Sequence, residues 1–246
     1  MQGQRGVLQG IVIHICQQTE LCNIWSDNIC TCGQFLHGRQ EFVSIHIIGH
    51  AVIAHYRINK KKDKLELVDI LRCPRESGPR IIRFSDDGRF AYLLFELSNE
   101  VKVYSYDGSG KNPEFQLLQS ITTLGKEDSN DALHNAASGM SLSADGKYLF
   151  CTTAGENTVT MYAVDQETGL LTKKFTLPIS GDYPKDLMIF PDNKHIAVAN
   201  HASNSITVFT VDYEKNIIMM NEKPRKIETP NSIHIWPVPD TCEQLD

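Results

Sequence analysis

Two residues of opposite charge stand out by position. Arg80 follows Gly78-Pro79 at the start of an apolar run, and Glu96 closes the apolar run at residues 91–95. A guanidinium can grip a carboxylate or phosphate with paired hydrogen bonds, or stabilise an oxyanion. A carboxylate can take a proton from water. Together they offer the parts of a hydrolytic or proton-transfer site that requires neither a metal nor a covalent nucleophile. The alternative is structural. Arg80 then pairs with an acid of a neighbouring unit, and Glu96 is its partner, because an unpaired charge at the end of a buried strand is costly. Lys185 follows Pro184 and is a second cation in a similar setting. His134 and Asn135 precede another apolar run, and Asn200-His201 ends a further one. His134 and Asn200 are candidate ligand contacts there. The plain reading of each is a loop or turn residue bonding the local backbone.

The runs that carry these residues repeat. GPRIIRFSDDGRFAYLLFELSNEVKVYSYD (78–107), SGMSLSADGKYLFCTTAGENTVTMYAVD (138–165) and PKDLMIFPDNKHIAVANHASNSITVFTVD (184–212) align with one another. Each has a turn anchored on an aspartate: Asp87, Asp145 or Asp192. Each has an aromatic in a matching place further on: Tyr104, Tyr162 or Phe209. The apolar runs read as short buried strands, and the Asp-Gly pairs as tight turns. Each unit supplies about four strands, at the period of roughly 40–50 residues that marks a propeller blade. A weaker unit precedes them. It has an eroded turn at His37-Gly38-Arg39, a strand at 41–45, a second at 51–58 and a basic turn at 60–64. Residues 231–235 resemble the first strand of one more unit. The expected fold is all-β: a β-propeller of four-stranded blades, with about four blades present. Residues 46–246 form the propeller part, and residues 1–45 an atypical Cys-rich segment.

The ordered set resembles a known family. Its motifs are Gly78-Pro79-Arg80, Asp87-Gly88-Arg89, Phe95-Glu96-Leu97, Val101-Lys102-Val103-Tyr104, the Asp145-Gly146-Lys147 turn and Val198-Ala199-Asn200. They are similar to the lactonase and cycloisomerase-type seven-bladed propellers. That family includes the bacterial propeller-type 6-phosphogluconolactonases and the fungal carboxymuconate-lactonizing enzymes. The resemblance runs from about residue 50 to residue 238. Because such proteins are usually longer, it implies the C-terminal part of an incomplete seven-bladed ring, truncated at its N-terminus. Such a ring has no closing strand, and its open edges favour self-association.

The resemblance also implies an activity. Glu96 would activate water, while Arg80 and Lys185 would hold a phosphate or the oxyanion of a sugar lactone. Arg80, Lys185, His134 and Asn200 would bind the substrate, 6-phosphogluconolactone of the pentose phosphate pathway. A muconate-type lactonizing cycloisomerase and a non-catalytic propeller binding module or inactive fragment are the alternatives. The chain also departs from the family pattern. Lys185 stands where arginine is common, and Lys185 lacks the bidentate fork. No acid follows Ala136-Ala137, and Thr153-Ala154 replaces an Asn-Arg pair. A family histidine expected before Gly78 has no clear match among His37, His46, His50 and His55.

Composition narrows the partners. The chain has 246 residues, 41% hydrophobic and 22% charged, with net charge −6. This excludes collagen-like and wholly disordered chains. It disfavours nucleic acid, whose phosphates need clustered Lys and Arg. The basic run Lys60-Lys61-Lys62 is offset by Asp63 and Glu66. No apolar run reaches the ~18 residues of a membrane span, and residues 7–16 are too short and interrupted for a signal peptide. The cytoplasm is the expected compartment. Cys16, Cys22, Cys30 and Cys32, with His14 and His37, lack the paired spacing of zinc sites. No metal and no cofactor are expected, and the ligand is a small sugar lactone or phosphosugar.

Overall fold

The computed structural model describes residues 4–8, 11–16, 30–36, 41–46, 52–59, 61–62, 64–108, 114–125 and 134–237. They form antiparallel sheets. The first sheet is β3 (Cys30–Leu36), β4 (Glu41–His46), β5 (Val52–Asn59) and β6 (Lys64–Arg72). The second is β7 (Pro79–Phe84), β8 (Phe90–Phe95), β9 (Glu100–Asp107) and β10 (Glu114–Thr122). The third is β11 (Ala136–Leu142), β12 (Tyr148–Ala154), β13 (Thr158–Val164) and β14 (Leu171–Pro178). The fourth is β15 (Pro184–Ile189), β16 (His195–Asn200), β17 (Ser205–Asp212) and β18 (Ile217–Met220), with the short β19 (Arg225–Lys226) also on β17. In these sheets consecutive strands are neighbours. A terminal sheet joins β1 (Gln4–Leu8) and β2 (Ile11–Cys16) to β20 (Ser232–Pro237). No helix among the described residues is long and apolar enough to cross a membrane.

The repeated aspartate turns form by one mechanism. Asp87 Oδ1 accepts the amide of Arg89 at 3.0 Å, Asp145 Oδ1 that of Lys147 at 3.2 Å, and Asp192 Oδ1 that of Lys194 at 2.8 Å. The residue between each pair has positive φ: Gly88 at 68°, Gly146 at 69° and Asn193 at 55°. That conformation is open to Gly and tolerated by Asn. The matching aromatics then fall in one register. Tyr104 pairs with Ala91, Tyr162 with Leu149 and Phe209 with Ile196.

The core lies between the sheets. Tyr92, Leu94 and Val103 of the second sheet pack with Met140, Leu149 and Tyr162 of the third. Phe150 and Met161 of the third pack with Leu187, Val198 and Phe209 of the fourth. Ala197, Ala199 and Ile206 of the fourth meet Ile233 on β20. On the other side, Ile53 of the first sheet packs with Ile82, Leu93 and Phe95 of the second. Burying one such side chain contributes about 1.5–3 kcal/mol. The inner strands of successive sheets are thereby held side by side, the arrangement of propeller blades.

The two ends of the chain pair with each other: β20 runs antiparallel to β2, His234 opposite His14. The physical reason is that the amides and carbonyls of a lone edge strand need partners. Residues 231–235 were expected to begin a further unit, and β20 does so. The division at residue 45 falls inside β4, whose strand pairs onward with β5. Cys22 and the turn at His37-Gly38-Arg39 lie outside the described residues, and of Cys16, Cys30 and Cys32 only the backbone is described.

Candidate active site

Arg80 is displayed by a β-bulge. Pro79 faces Phe95 and Ile81 faces Leu94, which leaves Arg80 as the extra residue on β7. A bulge bends the strand and re-aims its side chain. Gly78 sets up the entry with φ 64°, and a Cβ there would meet Leu97 Cγ at 2.8 Å. Arg80 Nη1 donates to Glu96 Oε2 at 2.8 Å, and Arg80 Nε donates to the Ser138 carbonyl on β11 at 2.7 Å. Glu96 is held by its own backbone as well. Its amide donates to the Gly78 carbonyl at 2.7 Å, and its carbonyl accepts the Ala137 amide at 3.1 Å. The two side chains are 22% and 27% exposed. They are sheltered enough to interact strongly and open enough to meet a ligand. Among the described residues, Glu96 Oε1 has no hydrogen-bond partner, so it is available to water.

The same bulge recurs in the next two inner strands. On β11 Ala137 faces Thr153 and Gly139 faces Thr152, leaving Ser138. On β15 Pro184 faces Asn200 and Asp186 faces Ala199, leaving Lys185. Arg80, Ser138 and Lys185 thus hold one position in successive sheets. Ser138 brings no charge, and its hydroxyl is occupied with Thr152. Lys185 Nζ lies 5.0 Å from the centre of the Tyr183 ring. Burial pushes its ammonium pKa down, the positive charge of Arg80 pushes it further, and Glu96 opposes both. Lys185 forms no salt bridge among the described residues. Two cations and one carboxylate therefore share a field with one positive charge in excess.

The other two candidates are Asn200 on β16, opposite Pro184, and His134, just before β11. Asn200 has no exposed surface. Its amide donates to Thr207 Oγ1 at 3.2 Å and to Ser205 Oγ at 3.5 Å, inside the fourth sheet. Gly181 packs directly on it, and a Cβ there would lie 2.2 Å from Asn200 Cγ. His134 is exposed just before β11, and its side chain makes no recorded bond to Arg80, Glu96 or Lys185 among the described residues. A surface depression on the fourth sheet is lined by Ser203, Asn204, Lys226, Ile227 and Glu228, and neither Arg80 nor Glu96 lines it.

Three further residues were not among the sequence-based site candidates. Ser138 supplies a carbonyl, which no side-chain motif reveals. Asp186 accepts the Ile233 amide at 3.0 Å and so ties β20 to β15. Burial pushes the Asp186 carboxyl up, against the opposing pull of that amide. His201 takes the place in the fourth sheet that Glu96 takes in the second. Its amide donates to the Tyr183 carbonyl at 3.0 Å, as that of Glu96 does to Gly78. A signal existed for it: Lys185 and His201 have the same sequence separation as Arg80 and Glu96.

The repeated bulges and the charged pair can now be set against known proteins. The family model of the seven-bladed β-propeller lactonases matches residues 35–235. The chain belongs to this lactonase family. It is 30% identical over 160 residues to an uncharacterized protein of Lactococcus lactis, covering 65% of this chain and 46% of that protein. It is 25% identical over 179 residues to a 6-phosphogluconolactonase of Formosa agariphila, covering 71% and 48%. The chain thus spans about half the length of the curated relatives it matches. Its fold is similar to that of a periplasmic gluconolactonase of Pseudomonas aeruginosa, with TM-score 0.76 and 22% identity, over 96% of this chain and 69% of that one. A Lactobacillus plantarum protein gives TM-score 0.75 and 21% identity, over 93% and 69%.

Proposed function

We propose that the chain hydrolyses an anionic sugar lactone, with 6-phosphogluconolactone as the substrate. The observation that carries the reading is the excess positive charge where Arg80, Glu96 and Lys185 converge. A neutral ligand gains little from such a field, whereas an anion is drawn in and held. Naming of distant relatives as 6-phosphogluconolactonases supports the choice of lactone.

The chemistry follows from the pair. Glu96 Oε1 takes a proton as a water oxygen bonds to the lactone carbonyl carbon. The carbonyl oxygen becomes an oxyanion, which the Arg80 guanidinium stabilises. As the carbonyl re-forms, the ring C–O bond breaks. The departing alkoxide takes the proton back from Glu96, which yields the open hydroxy acid. Lys185 supplies attraction for the anionic group of the substrate. No covalent intermediate is required.

A second reading, a binding module without turnover, is favoured by Ser138 and Ala154, which leave the third sheet without charge at the matching positions. One assay separates the two. The purified full chain is mixed with freshly made 6-phosphogluconolactone, and acid release is compared with the spontaneous rate. Hydrolysis is expected to be accelerated and to saturate. An unchanged rate with retained 6-phosphogluconate binding would establish the module instead. A muconate-type lactone run in parallel tests the cycloisomerase alternative.

A further inference from the structure

The fourth sheet carries its own version of the Arg80–Glu96 geometry, with different chemistry. Tyr183 has φ 53°, matching Gly78 at 64°. Pro184 matches Pro79, and Lys185 matches Arg80 as the bulged residue. His201 matches Glu96, because both amides close the same contact onto the residue before the proline. Where the second sheet places a carboxylate at this position after its cation, the fourth places a histidine at the matching position after Lys185. We propose that Lys185 and His201 form a second recognition pair, which receives the phosphate of a phosphorylated substrate while Arg80 and Glu96 act on its lactone carbonyl.

The two pairs differ in what they leave unspent. The Arg80 guanidinium is already engaged by Glu96 and the Ser138 carbonyl. Lys185 rests over the Tyr183 ring and keeps its three N–H donors for a ligand. His201 is partly exposed, yet its Nδ1 is enclosed without a hydrogen-bond partner. A proton placed there would be a buried donor with nothing to bond. The other ring nitrogen, Nε2, is the one that can offer an N–H donor to a ligand. An ammonium and an imidazole N–H donor suit a phosphate, which offers three acceptor oxygens and more than one negative charge. Glu96, or any carboxylate in its place, would repel that group.

The inference rests on the lactone-hydrolase reading for the role of Arg80 and Glu96, and its test keeps the two apart. Wild type, His201→Ala and His201→Gln full chains are titrated calorimetrically with 6-phosphogluconate and with gluconate. The same proteins are assayed on 6-phosphogluconolactone and on gluconolactone. His201→Ala is expected to weaken 6-phosphogluconate roughly tenfold more than gluconate, the scale of one charge-assisted hydrogen bond. It should lower the preference for the phosphorylated lactone in kcat/KM by a similar factor, mainly through KM. His201→Gln keeps an N–H donor and should recover part of the loss. If His201→Ala does not fold, the Gln variant decides the matter, because a structural role alone predicts no change in the phosphate preference. Equal loss for both ligands, or no loss for either, overturns the inference. Lactone turnover with an unmoved preference rejects this pair and leaves the hydrolase reading standing. No turnover of either lactone, with His201-dependent binding of 6-phosphogluconate, rejects the hydrolase reading and upholds the pair.

Discussion

Arg80 on β7 donates its Nε proton to the carbonyl of Ser138 on β11, 2.7 Å away. One edge of the guanidinium is thus fixed by the backbone of the neighbouring sheet, while Nη1 meets Glu96 at 2.8 Å. The arginine serves both as a tie between sheets and as the cation of a half-sheltered ion pair.

That double use makes lysine a poor substitute. Arg80→Lys keeps a charge but cannot span the Ser138 carbonyl and Glu96 with a planar fork. We expect kcat/KM on the lactone to fall by about 10²–10³. The melting temperature should drop only modestly, since a partly exposed pair contributes about 1 kcal/mol or less. Initial rates and thermal melts on the same preparation check both.

Glu96→Gln separates binding from proton transfer. The amide has nearly the shape of the carboxylate but cannot take a proton from water. Hydrolysis is expected to fall by about 10²–10⁴. Binding of 6-phosphogluconate should be retained or tightened, because a negative charge has left the site. Calorimetry beside stopped-assay rates would reveal the split, and equal losses in both would contradict the assigned role.

Gly139→Ala tests the contact between the third and fourth sheets. A Cβ at Gly139 would lie 2.8 Å from the Leu187 amide nitrogen and 2.9 Å from Asp186 Cα, both backbone atoms. They cannot swing aside as a flexible side chain would, so the strands must separate. We expect a loss of about 1–3 kcal/mol, the range of overpacked interiors. Urea denaturation reads it directly.

The aspartate turns predict an acid response. At Asp145, desolvation pushes the carboxyl pKa up, but hydrogen bonds from Ser143 and the Lys147 amide, with the Lys147 charge, together hold it below its ordinary value. A folded pKa below the unfolded one means that the unfolded chain binds the proton more readily. The stabilisation is therefore full above the ordinary aspartate range of about 3.9 and is lost as pH falls through the folded value. Asp145→Asn keeps the Oδ1 acceptor and removes the charge. The urea midpoint of this variant should fall less between pH 7 and pH 3 than that of the wild type.

Much of this protein was legible in its sequence. The alternation of apolar strands with Asp-Gly turns sets strand length and turn position locally, so the repeating sheets and the buried aromatics Tyr104, Tyr162 and Phe209 could be read directly. Arg80 and Glu96 could be singled out because a charge at the mouth of a buried strand must find a partner. The tertiary structure alone decided three things. It set Arg80 against the Ser138 carbonyl, a backbone group that no residue type announces. It paired β2 with β20, because two edges far apart in the chain each had unmet hydrogen bonds. It also buried Asn200 among Ser205, Thr207 and Gly181 and gave the place matching Glu96 to His201. A strand alternates its faces every residue, and one bulge shifts that alternation by one. Which of two adjacent polar residues is buried within the sheet is therefore settled only where the sheets meet.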